Sequence, residues 1–150
     1  MSVGTWLTFA TDANRFQEMT NLEISLATVN FNFLIPFWSS FIQSFGFVDA
    51  SRPSLANVLS NGRSLALVVG GARESLDAHH GTCNILLEKR KGFVKLALQH
   101  GASIVPVLSF GENELYWQME NPPGSTLRNI QDRLLSLLKW ATPIFNGIWF

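Results

Sequence analysis

The apolar run Ser64-Leu65-Ala66-Leu67-Val68-Val69, closed by Gly70-Gly71, constrains the fold more than any other stretch of this sequence. It carries no charge, ends on β-branched side chains and stops at glycines, as does a strand covered on both faces. Such strands belong to parallel sheets, whose neighbouring strands are joined by crossover helices. A second run, Ser103-Ile104-Val105-Pro106-Val107-Leu108-Ser109-Phe110, opens into Gly111-Glu112-Asn113-Glu114. Pro106 has no N–H to donate, so this second buried strand is expected at an edge or bulged there.

The segments around these runs read as helices and short strands in alternation. Leu26 to Phe33 has strand character, and Pro36 opens a helix that Gly46 ends. Phe47-Val48-Asp49 is a short strand, and Ser51-Arg52-Pro53 caps a short helix through Leu59, followed by a turn at Asn61-Gly62. A polar loop is expected from Ala72 to Thr82. The spacing of Phe93, Leu96 and Ala97 predicts a helix over Gly92 to His100, stopped by Gly101. Asn121-Pro122-Pro123-Gly124-Ser125 is a turn, and Ser125 caps a helix to about Trp140 with Leu127, Ile130, Leu134, Leu137, Leu138 and Ala141 on one face. The fold class expected is α/β, a mainly parallel sheet flanked by helices. At 150 residues the chain is read as one domain.

The formal net charge is zero and only 15% of residues are charged, so bulk charge gives no reason to expect nucleic acid. With 12 Phe and 5 Trp, the apolar content exceeds what one small core needs, and a membrane, a lipid or a further part of the protein is expected to cover the excess. The stretch from Ile24 to Val48 is uncharged, but Asn30, Asn32, Pro36, Ser39, Ser40 and Gln43 interrupt it. A buried strand and helix, or an interfacial segment, fits better than a membrane span. Cys83 has no partner for a disulfide and no metal-ligand companions; it is expected as a packed small residue, and no metal site is expected. His79-His80 beside Asp77 is read as loop.

Three blocks carry a family resemblance. Val68-Val69-Gly70-Gly71-Ala72-Arg73-Glu74 is similar to the V-x-V-G-G-x-x-E block of the type-2 diacylglycerol and monoacylglycerol acyltransferases. Arg90-Lys91-Gly92-Phe93, continuing through Gly101 and Val105-Pro106 to Phe110-Gly111-Glu112-Asn113, resembles that family's R-K-G-F and F-G-E-N blocks. Asn30-Phe31, Pro36, Ser51-Arg52-Pro53-Ser54 and Pro143-Ile144-Phe145 extend the resemblance over nearly the whole chain. Trp38-Ser39-Ser40 stands where the family usually has an arginine, and the family's H-P-H-G block, expected just upstream of Val3, is not among these residues. The resemblance therefore implies residues 1–150 as a partial acyltransferase domain, incomplete at both ends.

The family implies acyl transfer from acyl-CoA to mono- or diacylglycerol at the endoplasmic reticulum membrane or a lipid droplet, with the active face cytosolic. Acyl-CoA is then a co-substrate, no cofactor is permanently bound, and homo- or hetero-oligomers are compatible with it. The alternative is an inactive paralogue or isoform that binds lipid or pairs with a full-length acyltransferase. Acyl transfer needs a base for the hydroxyl, donors for the developing oxyanion and a site for the anionic CoA. The resemblance implies Glu74, Glu112 and Asn113 at strand ends for the acceptor chemistry. Their other reading is as loop and turn residues satisfying backbone N–H groups. Arg90, Lys91 and Gly92 at a helix start are expected to hold CoA phosphates, or else to form a basic turn facing lipid headgroups.

Overall fold

A computed structural model of the chain describes residues 8, 9, 11–138 and 141–147. In chain order its regular elements are α1 (Phe16–Thr20), β1 (Ile24–Thr28), α2 (Trp38–Ser44), β2 (Phe47–Asp49), α3 (Arg52–Ser60), β3 (Ser64–Ala66), α4 (Gly71–Leu76), α5 (Gly92–His100), β4 (Tyr116–Gln118), α6 (Thr126–Leu138) and β5 (Phe145–Gly147). Single 3-10 turns lie at Asn30–Phe33 and Glu112–Glu114. The residues fall into two compact units, one combining the chain up to Val68 with Lys91–Val107, the other combining Val69–Arg90 with the chain from Leu108 onward.

The first unit is built on a three-stranded parallel sheet in the order β2-β1-β3. Leu26 of β1 is the shared register point, opposite Phe47 on one side and Ala66 on the other. Leu26, Phe47 and Ile42 of α2 form its buried cluster, with Phe33 and Ala66 packed against them. Consecutive parallel strands are joined through α2 and α3, the arrangement expected of an α/β unit. Helix α5 runs over the residues its periodicity predicts, with Leu96 and Ala97 buried and Gly101 in the left-handed conformation that ends it. No helix among the described residues is long and apolar enough to cross a membrane. Within the uncharged stretch, Trp38, Phe41 and Phe45 form an exposed ladder of rings 5.5 and 5.0 Å apart.

Several expectations are corrected. The strand expected from Leu26 to Phe33 is Ile24–Thr28, followed by a 3-10 turn. The run Ser64–Val69 is a strand only through Ala66, because β3 lies at the sheet edge and pairs with β1 over Ile24, Ser25 and Leu26 alone. Val68, beyond that pairing, is exposed. Ser103–Phe110 is irregular chain rather than a buried strand, with Val105 76% and Phe110 85% exposed. Pro106 breaks its donor row. The loop expected from Ala72 to Thr82 begins instead as helix α4. Cys83 is exposed, not packed.

The second unit holds α4, α6 and the antiparallel pair β4-β5, where Trp117 lies opposite Asn146 and Gln118 opposite Phe145. Helix α6 runs close to its expected span, and the Ser125 hydroxyl accepts the Arg128 N–H at 3.1 Å as the cap reading requires. Its orientation is not the one its apolar pattern predicts. Arg128 and Gln131 are buried, whereas Ile130 and Leu137 are exposed.

Candidate functional site

Helix α4 starts on two glycines with different physical reasons for being glycine. Gly71 has φ +64°, a conformation that L side chains rarely adopt. Gly70 has an ordinary helical φ of −63°, but a Cβ there would lie 2.7 Å from the Cβ of Glu74 and overlap its carboxylate. The Glu74 side chain thus folds back over the Gly-Gly turn, and its Oε2 accepts the Leu86 N–H at 3.1 Å. In this arrangement the carboxylate satisfies a backbone donor of the irregular chain that follows helix α4.

The last carbonyl of α4 has no partner inside the helix. Leu76 is fully buried, and its oxygen accepts Gln118 Nε2 at 2.9 Å, Asn121 Nδ2 at 3.0 Å and, more distantly, Arg128 Nη1 at 3.5 Å. Asn121, 1% exposed, also donates Nδ2 to Gln131 Oε1 at 2.8 Å. Both amide hydrogens are then used, so its Oδ1 faces His79 Nε2 at 2.9 Å. An oxygen can only accept, which places a hydrogen on His79 Nε2. Gln131 completes the chain by donating Nε2 to the Thr142 carbonyl at 3.0 Å.

His79 opens a tight turn. Its N–H donates to the Thr82 hydroxyl at 3.2 Å, while the Thr82 hydroxyl and N–H donate to the His79 carbonyl at 2.7 and 3.1 Å. Thr82 in turn accepts Asn113 Nδ2 on its carbonyl at 2.8 Å. His80 points elsewhere, stacked parallel on Trp117 at 4.4 Å. Arg128 pairs with Asp77 at 2.6 Å and Asp132 at 3.4 Å. Hydrogen bonding to Asp77 raises the Arg128 guanidinium above its ordinary value, and burial works against that rise.

A small cleft in this unit is lined by Ser75, Ala78, Glu112, Asn113, Tyr116, Gln118, Pro143 and Phe145. Its volume of about 30 Å³ suits a hydroxyl or a water rather than an acyl chain. The lining combines the polar residues Glu112, Asn113, Gln118, Tyr116 and Ser75 with Phe145 and Pro143, a set that can hold a polar head whose tail is apolar. Glu112 and Asn113, expected at one strand end, reach this cleft from the 3-10 turn. Glu74 is on the same helix as Ser75 but does not line it.

Lys91 and Gly92 are exposed at the start of α5 in the sheet-bearing unit, and Arg90, adjacent in the chain, is exposed at the end of a segment of the other. Among the described residues no cluster of His, Cys, Asp and Glu is arranged to hold a metal ion. Sequence reasoning missed Asn121, Gln131 and Arg128. A polar i, i+3 pair on an amphipathic helix, Arg128 and Gln131, was the available signal, and the adjoining apolar stripe of Leu127 and Leu134 obscured it.

The diacylglycerol acyltransferase family model matches residues 1–150. The chain is 49% identical over 150 residues to diacylglycerol O-acyltransferase 2 of Dictyostelium discoideum, covering 98% of this chain and 46% of that protein. It is 41% identical over 151 residues to diacylglycerol O-acyltransferase 2A of Umbelopsis ramanniana, covering 98% of this chain and 42% of the relative. Against 2-acylglycerol O-acyltransferase 1 of Bos taurus it is 43% identical over 149 residues, 97% of this chain and 44% of the relative. The chain thus spans under half the length of these curated relatives, and no solved structure matches it. A match along its whole length, with the Gly-Gly-Glu and Phe-Gly-Glu-Asn blocks in place, makes this chain a member of the diacylglycerol acyltransferase family.

Proposed function

We propose that this chain forms part of an acyl-CoA-dependent O-acyltransferase of acylglycerols, with mono- or diacylglycerol as acceptor in neutral lipid synthesis. The observation that carries the reading is the hydroxyl-sized cleft at Glu112 and Asn113. An acceptor hydroxyl placed there meets the Glu112 carboxylate, which can take up or orient its proton, and amides that can donate to the oxygen. Asn113 and Gln118 are each already held by one N–H, to Thr82 and Leu76, so neither has to be ordered by the substrate. Glu74 acts in this scheme by fixing the turn that carries Ser75.

Acyl-CoA is the co-substrate. Its phosphates are assigned to Arg90, Lys91 and the N–H groups at Gly92, where the helix dipole and the side-chain cations attract the same anion. The exposed ladder of Trp38, Phe41 and Phe45, in a stretch free of charge, supports placement at a membrane or lipid-droplet surface, with the endoplasmic reticulum and a cytosolic face as the setting. Homo- or hetero-oligomers are compatible with that placement.

The test is binding and turnover by the purified chain with labelled acyl-CoA and labelled monoacylglycerol in detergent micelles. Both ligands are expected to bind, with acyl-CoA affinity reduced about tenfold in an Arg90→Ala, Lys91→Ala variant. Binding of both without transfer favours the alternative of a catalytically inactive lipid-binding protein. Failure to bind either one overturns the proposal.

A further inference from the structure

Asn121 is one residue from which three walls of the cleft are reached through hydrogen bonds. Its Nδ2 holds the Leu76 carbonyl at 3.0 Å, and Leu76 lies between Ser75 and Ala78, which line one wall. Its Oδ1 accepts His79 Nε2 at 2.9 Å; His79 is locked to Thr82, and the Thr82 carbonyl holds Asn113 of the second wall at 2.8 Å. The second Nδ2 hydrogen goes to Gln131 at 2.8 Å. Gln131 holds the Thr142 carbonyl at 3.0 Å, next to Pro143 of the third wall.

No other side chain of this size offers two donors and one acceptor. Aspartate would turn a carboxylate toward the Leu76 and Gln131 oxygens, and leucine would take one of three donors from the Leu76 carbonyl and remove the contacts of Gln131 Oε1 and His79 Nε2, in a site where Asn121 is 1% and Gln131 2% exposed. We infer that Asn121 is the positioning residue of the cleft, setting through Leu76, His79 and Gln131 where a hydroxyl of an acylglycerol is held. The inference rests on the proposed reading of this cleft as the acceptor site.

Positioning makes a demand on His79 that proton transfer does not share. It needs only the Nε2–H donor, which a glutamine amide supplies and a leucine does not. The experiment measures binding of labelled monoacylglycerol and of labelled acyl-CoA to the full chain in detergent micelles, for wild type and for His79→Gln, His79→Leu and Asn121→Asp. Monoacylglycerol affinity is expected to fall about tenfold in His79→Leu and at least as far in Asn121→Asp, and to stay within about twofold of wild type in His79→Gln. Acyl-CoA affinity is expected to hold within about twofold in both His79 variants, which keeps the test valid even where Asn121→Asp fails to fold.

Equal losses in His79→Gln and His79→Leu overturn the inference, as does a matching loss of acyl-CoA affinity in His79→Leu. A wild-type chain that binds monoacylglycerol while His79→Leu binds it equally well overturns the inference alone. A wild-type chain that binds no monoacylglycerol overturns the acceptor-site reading, and the inference with it.

Discussion

Arg128 Nη1 stands 2.6 Å from Asp77 Oδ1, joining the residue just after helix α4 to the first turn of α6 across 51 positions of sequence. Arg128 is 8% exposed, so its charge depends on this partner more than a surface cation would. Asp77→Asn is expected to lower unfolding free energy by about 2 kcal/mol, the worth of a charge-assisted bond with a second carboxylate still nearby. A double-mutant cycle with Arg128→Met, read by urea unfolding, checks it; additive losses would show the pair to be uncoupled.

The same pair has a defined pH behaviour on its cationic side. A group whose pKa is raised on folding stabilises the fold at all pH values below its unfolded pKa and loses that contribution only as pH rises through the folded one. Arg128 is such a group. Its share of the coupling is therefore expected to be equal at about pH 7 and about pH 10. A coupling energy that declines between those two values would contradict the assignment of the raised guanidinium to this pair.

Gly70→Ala is expected to destabilise the second unit although its backbone angles are ordinary for alanine. The new Cβ meets the Glu74 Cβ at 2.7 Å, and that atom sits too close to the backbone to swing away. Overpacking of this kind costs about 1–3 kcal/mol. Adding Glu74→Ala should recover part of the loss in thermal unfolding, because it removes the overlapping carboxylate. Gly71→Ala, strained by its φ of +64°, should gain nothing from the same second change.

What the sequence revealed and what it hid follow from the range of the interactions involved. Helix α5 was legible because its apolar spacing and Gly101 act within one element. The block from Gly70 to Glu74 was read through family resemblance, and the helix that brings Gly70 and Glu74 together within a single turn was read as loop. The runs Ser64–Val69 and Ser103–Phe110 were overread as buried strands. An apolar run states that a segment favours being covered, but not whether a neighbouring strand pairs with it. Asn121 was read only as a turn residue before Pro122-Pro123-Gly124. Its partners Leu76 and His79 lie 45 and 42 positions away, beyond any periodicity.

Ser25 occupies the middle of β1, opposite Leu65, with no exposed surface and, among the described residues, no partner for its hydroxyl. A buried hydroxyl that makes no hydrogen bond retains its desolvation penalty. Ser25→Ala is expected to raise the stability of the sheet-bearing unit by about 1 kcal/mol. Hydrogen exchange of the β1 amides would report it as slower exchange; faster exchange would show that the hydroxyl has a favourable role.

Helix α6 offers a test of how far a single cap reaches. The Ser125 hydroxyl accepts the Arg128 N–H at 3.1 Å, and the Ser125 N–H closes the preceding turn on the Pro122 carbonyl at 3.0 Å. Ser125→Ala removes the first bond and leaves the second, with an expected loss of about 1 kcal/mol. Arg128 is both the capped residue and the partner of Asp77, and Gln131, one turn on, holds Asn121. Fraying at the cap should therefore loosen side-chain contacts to α4, not the helix end alone. The expected result is faster exchange at the amides of Arg128 and of Asp77, whose N–H closes α4 on the Glu74 carbonyl. Ser125→Asp, which keeps an acceptor and favours the positive end of the helix dipole, should restore both. Faster exchange confined to α6 would mean that the cap stabilises its own helix and nothing beyond it.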